Sequence, residues 1–192
     1  MKKLILIILI AIALPAPAQR KYSLECDSQL LEASLDTAIA QVGTREPTGR
    51  NDGPVGKYLA AVGLGQGYPY CAAGQYYCFR AACEGLNMPL SAIPIKRSAT
   101  ANYIYNDAAK RGVAKPYIPA RHDLIVWLRP RSWSGHIERI ISVGRGGWVR
   151  TVGFNTGGRD PREGEGVFIK KRNVFHALGR LRIRGLIGFT PK

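Results

Sequence analysis

Histidine and acidic residues are both scarce in this chain. The three histidines, His122, His136 and His176, are scattered, and none belongs to a His-Glu-x-x-His pattern or to a cysteine-histidine cluster that would hold zinc. We therefore expect no metal and no other cofactor. Only 13 acidic residues face 28 lysines and arginines, so the formal net charge is +15 and an anionic partner is expected.

The sequence also lacks a long apolar run, an internal repeat and a low-complexity tract. Its most apolar stretch, residues 4–14, is short of the roughly 20 residues that span a bilayer. Lys2 and Lys3 precede this stretch and the small residues Ala16 and Ala18 follow it, which is the pattern of a secretory signal peptide. We expect residues 1–18 to be removed and the chain to be exported to the periplasm or secreted, without a stable membrane anchor.

The order of the predicted elements indicates an α+β fold. Apolar spacing predicts a helix over residues 28–42, within an N-terminal helical extension (19–43) that precedes the main domain (44–192). Further helices are predicted over 54–62, from 71 to the stop signal at 85, and over 98–111 with Ser98 as cap. From residue 124 onward the chain is mostly β-rich. An order of helices first and strands afterwards favours an α+β fold. We also expect the protein to be a monomer.

Cys71 is the candidate nucleophile. Gly65, Gly67 and Pro69 prevent a regular element just before it, so Cys71 is predicted in the first turn of a helix, where free N–H groups and the helix dipole favour a thiolate. The small residues that follow, at 72–74, would let a substrate backbone approach closely. The alternative is an ordinary buried cysteine.

His136 is the candidate base. It begins a β-rich run, 136–143, at the edge of a loop that follows the apolar strand 124–128. A histidine in that place can hold the proton of a cysteine from elsewhere in the fold. His122 and His176 are the competitors, but neither is followed by so clear a strand.

Asn155 is the candidate orienting residue for His136. The strand 148–156 follows a glycine-rich turn and predicts an antiparallel hairpin with the His136 strand. In a regular register Asn155 lies across from His136, where its side-chain carbonyl could fix the imidazole tautomer. Asn155 could instead begin the turn that follows it.

The residues in the order Cys, His, Asn resemble those of CHAP-type amidohydrolases, a family of the wider papain-like, NlpC-type peptidoglycan hydrolases. The likeness covers about residues 44–189 and rests on the segments 67–73, 122–127, 135–137, 155–156, 164–167 and 170–172. It implies a papain-like fold, with the nucleophile at a helix start packed on an antiparallel β-sheet. It also implies cleavage of amide bonds in cell-wall peptides, with Cys71 as nucleophile, His136 as base and Asn155 as orienting residue.

Two positions depart from the pattern of that family. A carboxylate often found two residues before the asparagine is replaced by Gly153, and the usual small residue two after the histidine is Glu138. Because residues i and i+2 of a strand share a face, Glu138 could lie beside His136 and replace the missing carboxylate, bind a substrate amine, or form a surface ion pair. The third catalytic residue is therefore Asn155 or Glu138, and the bond that is cleaved stays open.

Tyr70 is an auxiliary candidate, either for binding the oxyanion or as a structural tyrosine. An exported protein meets little nucleic acid, so we expect the positive charge to serve attraction to anionic peptidoglycan. A non-catalytic wall-binding module of the same fold, or a phage or mobile-element lysis protein with the same chemistry, is the alternative.

The four cysteines invite disulfides in an exported protein. Cys71 and Cys78 are two helical turns apart, about 10.5 Å by helical rise, which is too far for a bond. A bond from Cys26 to Cys78 or to Cys83 is conceivable, and the pairing stays open.

Overall fold

The computed structural model describes residues 19–157 and 164–192. The predicted signal peptide, residues 1–18, lies outside the described residues. No helix within the described ranges is long and apolar enough to cross a membrane.

Within the described ranges, four α-helices precede most of the strands, as the sequence predicts. They are α1 (Ser28–Ala40), α2 (Gly56–Ala61), α3 (Cys71–Gly85) and α4 (Ala101–Arg111). Asp27 caps α1 by accepting a hydrogen bond from the Leu30 N–H, which stabilises the first turn. The helix α4 begins later than predicted, because Ser98 bonds the Thr100 N–H ahead of the helix and Thr100 is the N-cap.

Seven described strands form one mixed sheet. The strands are β1 (Arg20–Cys26), β2 (Val113–Lys115), β3 (Leu124–Leu128), β4 (Gly135–Val143), β5 (Trp148–Thr156), β6 (Gly166–Asn173) and β7 (Arg182–Pro191). Their spatial order is β2-β1-β7-β3-β4-β5-β6. The fold is α+β as predicted, but the expectation of an antiparallel sheet is wrong in one place, because β1 pairs in parallel with β7. The sequence analysis assigned residues 19–43 to a helical extension and missed β1, although Tyr22, Leu24 and Cys26 alternate with polar residues as in a strand.

The predicted β4–β5 hairpin is confirmed. The two strands are antiparallel, with Glu138 directly across from Gly153 and a register shift between Ile140 and Ser142. This hairpin places the start of β4 near the end of β5, which is the region where the candidate residues lie.

The sheet carries helices on one face and a second apolar layer on the other. Buried residues of α3 and α4 pack with Leu124, Val126 and Ile137 in one large cluster. On the opposite face, Ile125 and Trp127 pack with side chains of β4, β5 and β7. Alternate residues of β3 and β4 are therefore buried on both sides, which explains why β3 reads as one apolar run.

Helix α3 lies unusually close to β5 because of Gly74. A Cβ atom at Gly74 would lie 2.3 Å from the Phe154 ring, so only glycine fits there. Ala72 and Ala73 are fully buried as well. The expectation that these small residues open space for a substrate is therefore wrong: they let the helix that carries Cys71 pack against the sheet.

Candidate functional site

Cys71 is the first residue of α3, as the sequence predicts. Its side chain is almost buried, and Sγ lies 4.0 Å from the carbonyl oxygen of Gly135, the first residue of β4. Tyr70 is the N-cap residue and provides no side-chain cap, so the first turn keeps backbone N–H groups that point toward the thiol end of the helix. The structure thus brings a thiol to a helix N-terminus beside the strand that carries His136.

His136 contacts both Cys71 and Glu138. The Cys71 side chain interacts with the imidazole, and Nε2 lies 3.1 Å from Glu138 Oε1. Burial lowers the pKa of His136, but the hydrogen bonds and charges of Cys71 and Glu138 outweigh burial and raise this pKa to about 9. An imidazolium is therefore favoured at neutral pH.

Glu138 is fully buried and ionised. It accepts hydrogen bonds from Thr151 Oγ1 at 2.6 Å, from Arg172 Nη2 at 2.6 Å and from Arg172 Nε at 2.9 Å. Burial raises the pKa of Glu138, but the bonds with His136 and Arg172 more than offset this and hold the pKa at about 2. A buried carboxylate with this many donors is a rigid partner for the imidazole.

The position of Glu138 depends on the absence of a side chain at Gly153. A Cβ atom on Gly153 would lie 2.9 Å from both Cγ and Oε1 of Glu138. The carboxylate therefore occupies the space that a residue at 153 would enter from the neighbouring strand. The two departures noted in the sequence form a single cross-strand pair.

Asn155 is not the hydrogen-bond partner of His136 in this structure. Its backbone has φ +49°, and the strand register shifts between Gly153 and Thr156, so the side chain leaves the regular face of β5. The Asn155 Oδ1 atom accepts no hydrogen bond within the described residues. Of the two candidates for the third position, Glu138 makes the contact that the sequence analysis expected of Asn155.

Tyr70 is a structural residue rather than a group that faces a groove. It is fully buried, and its hydroxyl donates to Glu46 Oε1 at 2.9 Å. The second carboxylate oxygen of Glu46 accepts the N–H of Asn51 at 2.8 Å. Tyr70 therefore ties the loop before α2 to the start of α3, and an oxyanion-binding hydroxyl at this position is not supported.

The competing histidines lie in other surroundings. His122 Nε2 is 2.9 Å from Glu32, and Nδ1 accepts a hydrogen bond from the buried Arg139 at 3.3 Å. Burial and the Arg139 charge lower the pKa of His122. His176 packs its ring against Trp148, with centroids 5.6 Å apart. Of the three histidines, His136 is the one that the described structure places on Cys71.

Several residues of the site were not singled out from the sequence. Arg172 belongs to the basic segment 170–172, which served only as part of the family likeness, and its role depends on strand pairing that local sequence does not reveal. Asn102 on α4 donates to the carbonyl oxygens of Trp133 and Ser134, at 2.8 and 3.1 Å, and accepts from Arg184 Nη1 at 2.6 Å. This fixes the loop that leads into His136.

The other three cysteines are unreactive by their surroundings. All four cysteines are free in this structure. Burial raises the pKa of Cys26 and of Cys78 to about 12, and it raises that of Cys83 as well. These thiols are core groups.

Within the described ranges, no group of three or more His, Cys, Asp or Glu side chains is arranged to hold a metal ion. What the arrangement supplies is a thiol beside a basic imidazole, and a carboxylate hydrogen-bonded to that imidazole. Neither a protein-family model nor a curated protein matches this chain, and no solved structure resembles it.

Proposed function

We propose that this protein is an exported cysteine amidohydrolase that cleaves amide bonds in peptidoglycan, and that its fold is papain-like. The observation that carries the proposal is the buried series Cys71, His136 and Glu138, with the thiol at the start of α3. A nucleophile, a base and a group that orients the base form the general pattern of covalent acyl transfer.

The electrostatics of the site support a reactive thiol. The imidazolium of His136 and the N-terminus of α3 both place positive charge near the Cys71 sulfur. Glu138 in turn favours the charged imidazole, and Arg172 keeps Glu138 ionised. The buried charges of His136, Glu138 and Arg172 alternate in sign, so each charge stabilises its neighbour.

The first half of the reaction forms a thioester. The Cys71 thiolate attacks the carbonyl carbon of the amide and gives a tetrahedral oxyanion. When this collapses, the C–N bond breaks and His136 gives its proton to the departing amine. Backbone N–H groups at the start of α3, that of Cys71 first among them, are the donors available to the oxyanion.

The second half returns the enzyme to its initial state. Neutral His136 takes a proton from water, whose oxygen attacks the thioester carbonyl. The C–S bond then breaks, the carboxylic acid product leaves, and the thiolate and imidazolium are restored. The whole reaction consumes one water molecule for each amide bond and needs no other reactant.

The surroundings of Cys71 fit a polymeric substrate. Tyr68 precedes Cys71 by three residues and Trp133 precedes His136 by three, and both side chains are largely exposed. Exposed aromatic side chains so close in sequence to Cys71 and His136 suit the binding of a sugar or peptide chain. The net charge of +15 favours association with an anionic wall.

The test is hydrolysis of purified peptidoglycan by the chain that begins at Gln19. New amino groups and the masses of the released fragments identify the bond, and Cys71→Ala is the matched control. Release that requires Cys71 supports the proposal. Wall binding without release by the unmodified protein would contradict it and favour a non-catalytic wall-binding module.

A further inference from the structure

A basic groove lies at the far end of the β4–β5 hairpin from the candidate site. It has a volume of about 400 Å³ and is lined by the ends of β4, β5 and β6: Ser142, Val143, Gly144, Trp148, Val149, Arg150, Ile169, Lys170 and Lys171. His136 and Val143 mark the two ends of β4, so the groove is roughly 20 Å from the thiol by strand rise. Its occupant therefore does not reach the reacting atoms directly.

The lining combines apolar and cationic groups. Val143, Trp148 and Ile169 are each more than a third exposed, and they form a contiguous apolar floor. Arg150 and Lys171 supply the charge, whereas the Lys170 ammonium is bonded to the Gly157 carbonyl oxygen, and the lining contains no carboxylate. The groove therefore combines apolar surface with positive charge.

Two of these cations are directly opposed. Arg150 pairs with Lys171 across β5 and β6, an arrangement of like charges that destabilises a sheet unless an anion lies between or above them. Lys171 Nζ also lies 4.9 Å from the centroid of the Trp148 ring, and His176 packs against the same ring. The indole is thus held in one orientation at the wall of the groove.

We propose that this groove binds an anionic glycan strand, with a sugar ring on the apolar floor beside Trp148 and its carboxylate or phosphate on Arg150 and Lys171. Charge complementarity selects an anion. The choice of a glycan rests on the proposed function, since a wall hydrolase meets anionic sugar polymers. A single indole beside aliphatic side chains also suits one saccharide face, whereas single-stranded nucleic acid is held by several stacked aromatic residues.

The experiment measures binding in the Cys71→Ala background, where no hydrolysis occurs. Polygalacturonate provides sugar and carboxylate, polyglutamate provides carboxylate alone, and dextran provides sugar alone. We expect polygalacturonate to bind more tightly than either, with an affinity that falls as salt rises. Trp148→Ala should weaken polygalacturonate binding by about tenfold and leave polyglutamate binding unchanged. Lys171→Ala should weaken the binding of both.

Matched variants outside the groove provide the controls. Tyr103→Ala removes an exposed aromatic ring on α4 and Lys110→Ala an exposed cation on the same helix, and neither should change polygalacturonate binding. Trp148→Phe keeps an aromatic ring and tests the groove if Trp148→Ala unfolds. Unchanged polygalacturonate affinity of a folded Trp148 variant would overturn the proposal. A variant that loses binding to phosphatidylglycerol vesicles or to single-stranded DNA more than it loses binding to polygalacturonate would also overturn it. Polygalacturonate binding by a chain that fails to hydrolyse peptidoglycan would disprove the enzymatic function and leave this site standing.

Discussion

Glu138 occupies the space that a side chain on Gly153 would fill, directly across the β4–β5 hairpin. In the CHAP-type pattern proposed for this chain, the strand after the histidine would carry the carboxylate and the histidine strand would carry a small residue. Here the two residue types are exchanged between strands. The carboxylate reaches the imidazole from the histidine's own strand, and the glycine opposite makes room for it.

This exchange predicts that the carboxylate can be moved from position 138 to position 153 with part of the activity kept. Glu138→Gly should reduce turnover by about ten- to ten-thousand-fold, because the imidazole loses the group that fixes its orientation. Gly153→Glu alone should also reduce turnover, since its side chain would collide with Glu138 and add a second buried negative charge. The double variant should recover part of the loss of each single one. Turnover on purified peptidoglycan measures this, and a double variant worse than both single ones would refute the exchange.

The pH dependence of turnover distinguishes Glu138 from Asn155. The pKa of His136 is raised to about 9, so activity that needs the imidazolium should decline as the pH rises through about 9. Glu138→Gln removes a negative charge that favours the imidazolium, so the pKa should fall and this alkaline limb should move to lower pH. Asn155→Ala should leave the limb in place. A shift caused by Asn155→Ala and not by Glu138→Gln would restore Asn155 as the orienting residue.

Alkylation should single out Cys71. Cys26, Cys78 and Cys83 have pKa values raised by burial, so they carry little thiolate at neutral pH. Iodoacetamide at pH 7 should therefore modify Cys71 first, as measured by mass spectrometry of tryptic peptides. His136→Ala should slow this labelling. Faster labelling of any of the other three thiols would argue against the nucleophile.

Arg172 should control acid stability through Glu138. The pKa of Glu138 is lowered to about 2 from 4.5, so its ionised form stabilises the fold above about pH 4.5 and this contribution is lost as the pH falls toward 2. In Arg172→Met the pKa of Glu138 should be less depressed, so the stabilisation by ionised Glu138 should be completely lost at a higher pH. Thermal melts from pH 3 to 7 measure the stability of each variant as a function of pH. Arg172→Lys should restore part of the stability that Arg172→Met loses.

Arg45→Met is the matched control for Arg172. Its partner Glu165 is 3.4 Å away, and both side chains are largely solvent-accessible, so this pair should contribute little. Equal acid sensitivity of the two methionine variants would contradict a specific role for Arg172.

Gly74 should be intolerant of alanine although it lies within a helix. Alanine normally stabilises a helix relative to glycine, but a Cβ at Gly74 would lie 2.3 Å from the Phe154 ring. Gly74→Ala should lower the free energy of unfolding by about 1–3 kcal/mol through overpacking. Gly85→Ala, at the end of the same helix with open space around it, should be neutral or slightly stabilising. Urea denaturation of both variants tests this, and equal stability would disprove the close approach.

Local sequence signals predicted those parts of the fold and site that depend on neighbouring residues. Pro69 before and Gly85 at the end correctly bounded α3, and apolar continuity predicted β3. The sequence could not decide between Asn155 and Glu138 as the partner of His136. The choice depends on the left-handed backbone at Asn155, which turns the Asn155 side chain away from His136. The i, i+2 relation had already placed Glu138 on the right face. Arg172 could not be found, since its contact requires the register of three strands.

The parallel pairing of β1 with β7 joins the earliest described strand to the last. Arg20 lies across from Gly185 and Cys26 across from Pro191, so β1 has no β7 edge to join until nearly the whole chain has been synthesised. Pairing at such sequence separation is slow because the intervening chain must be closed first. A nascent chain therefore remains without its complete sheet throughout synthesis. Because β7 lies between β1 and β3, the sheet stays in two parts until its last strand has been made.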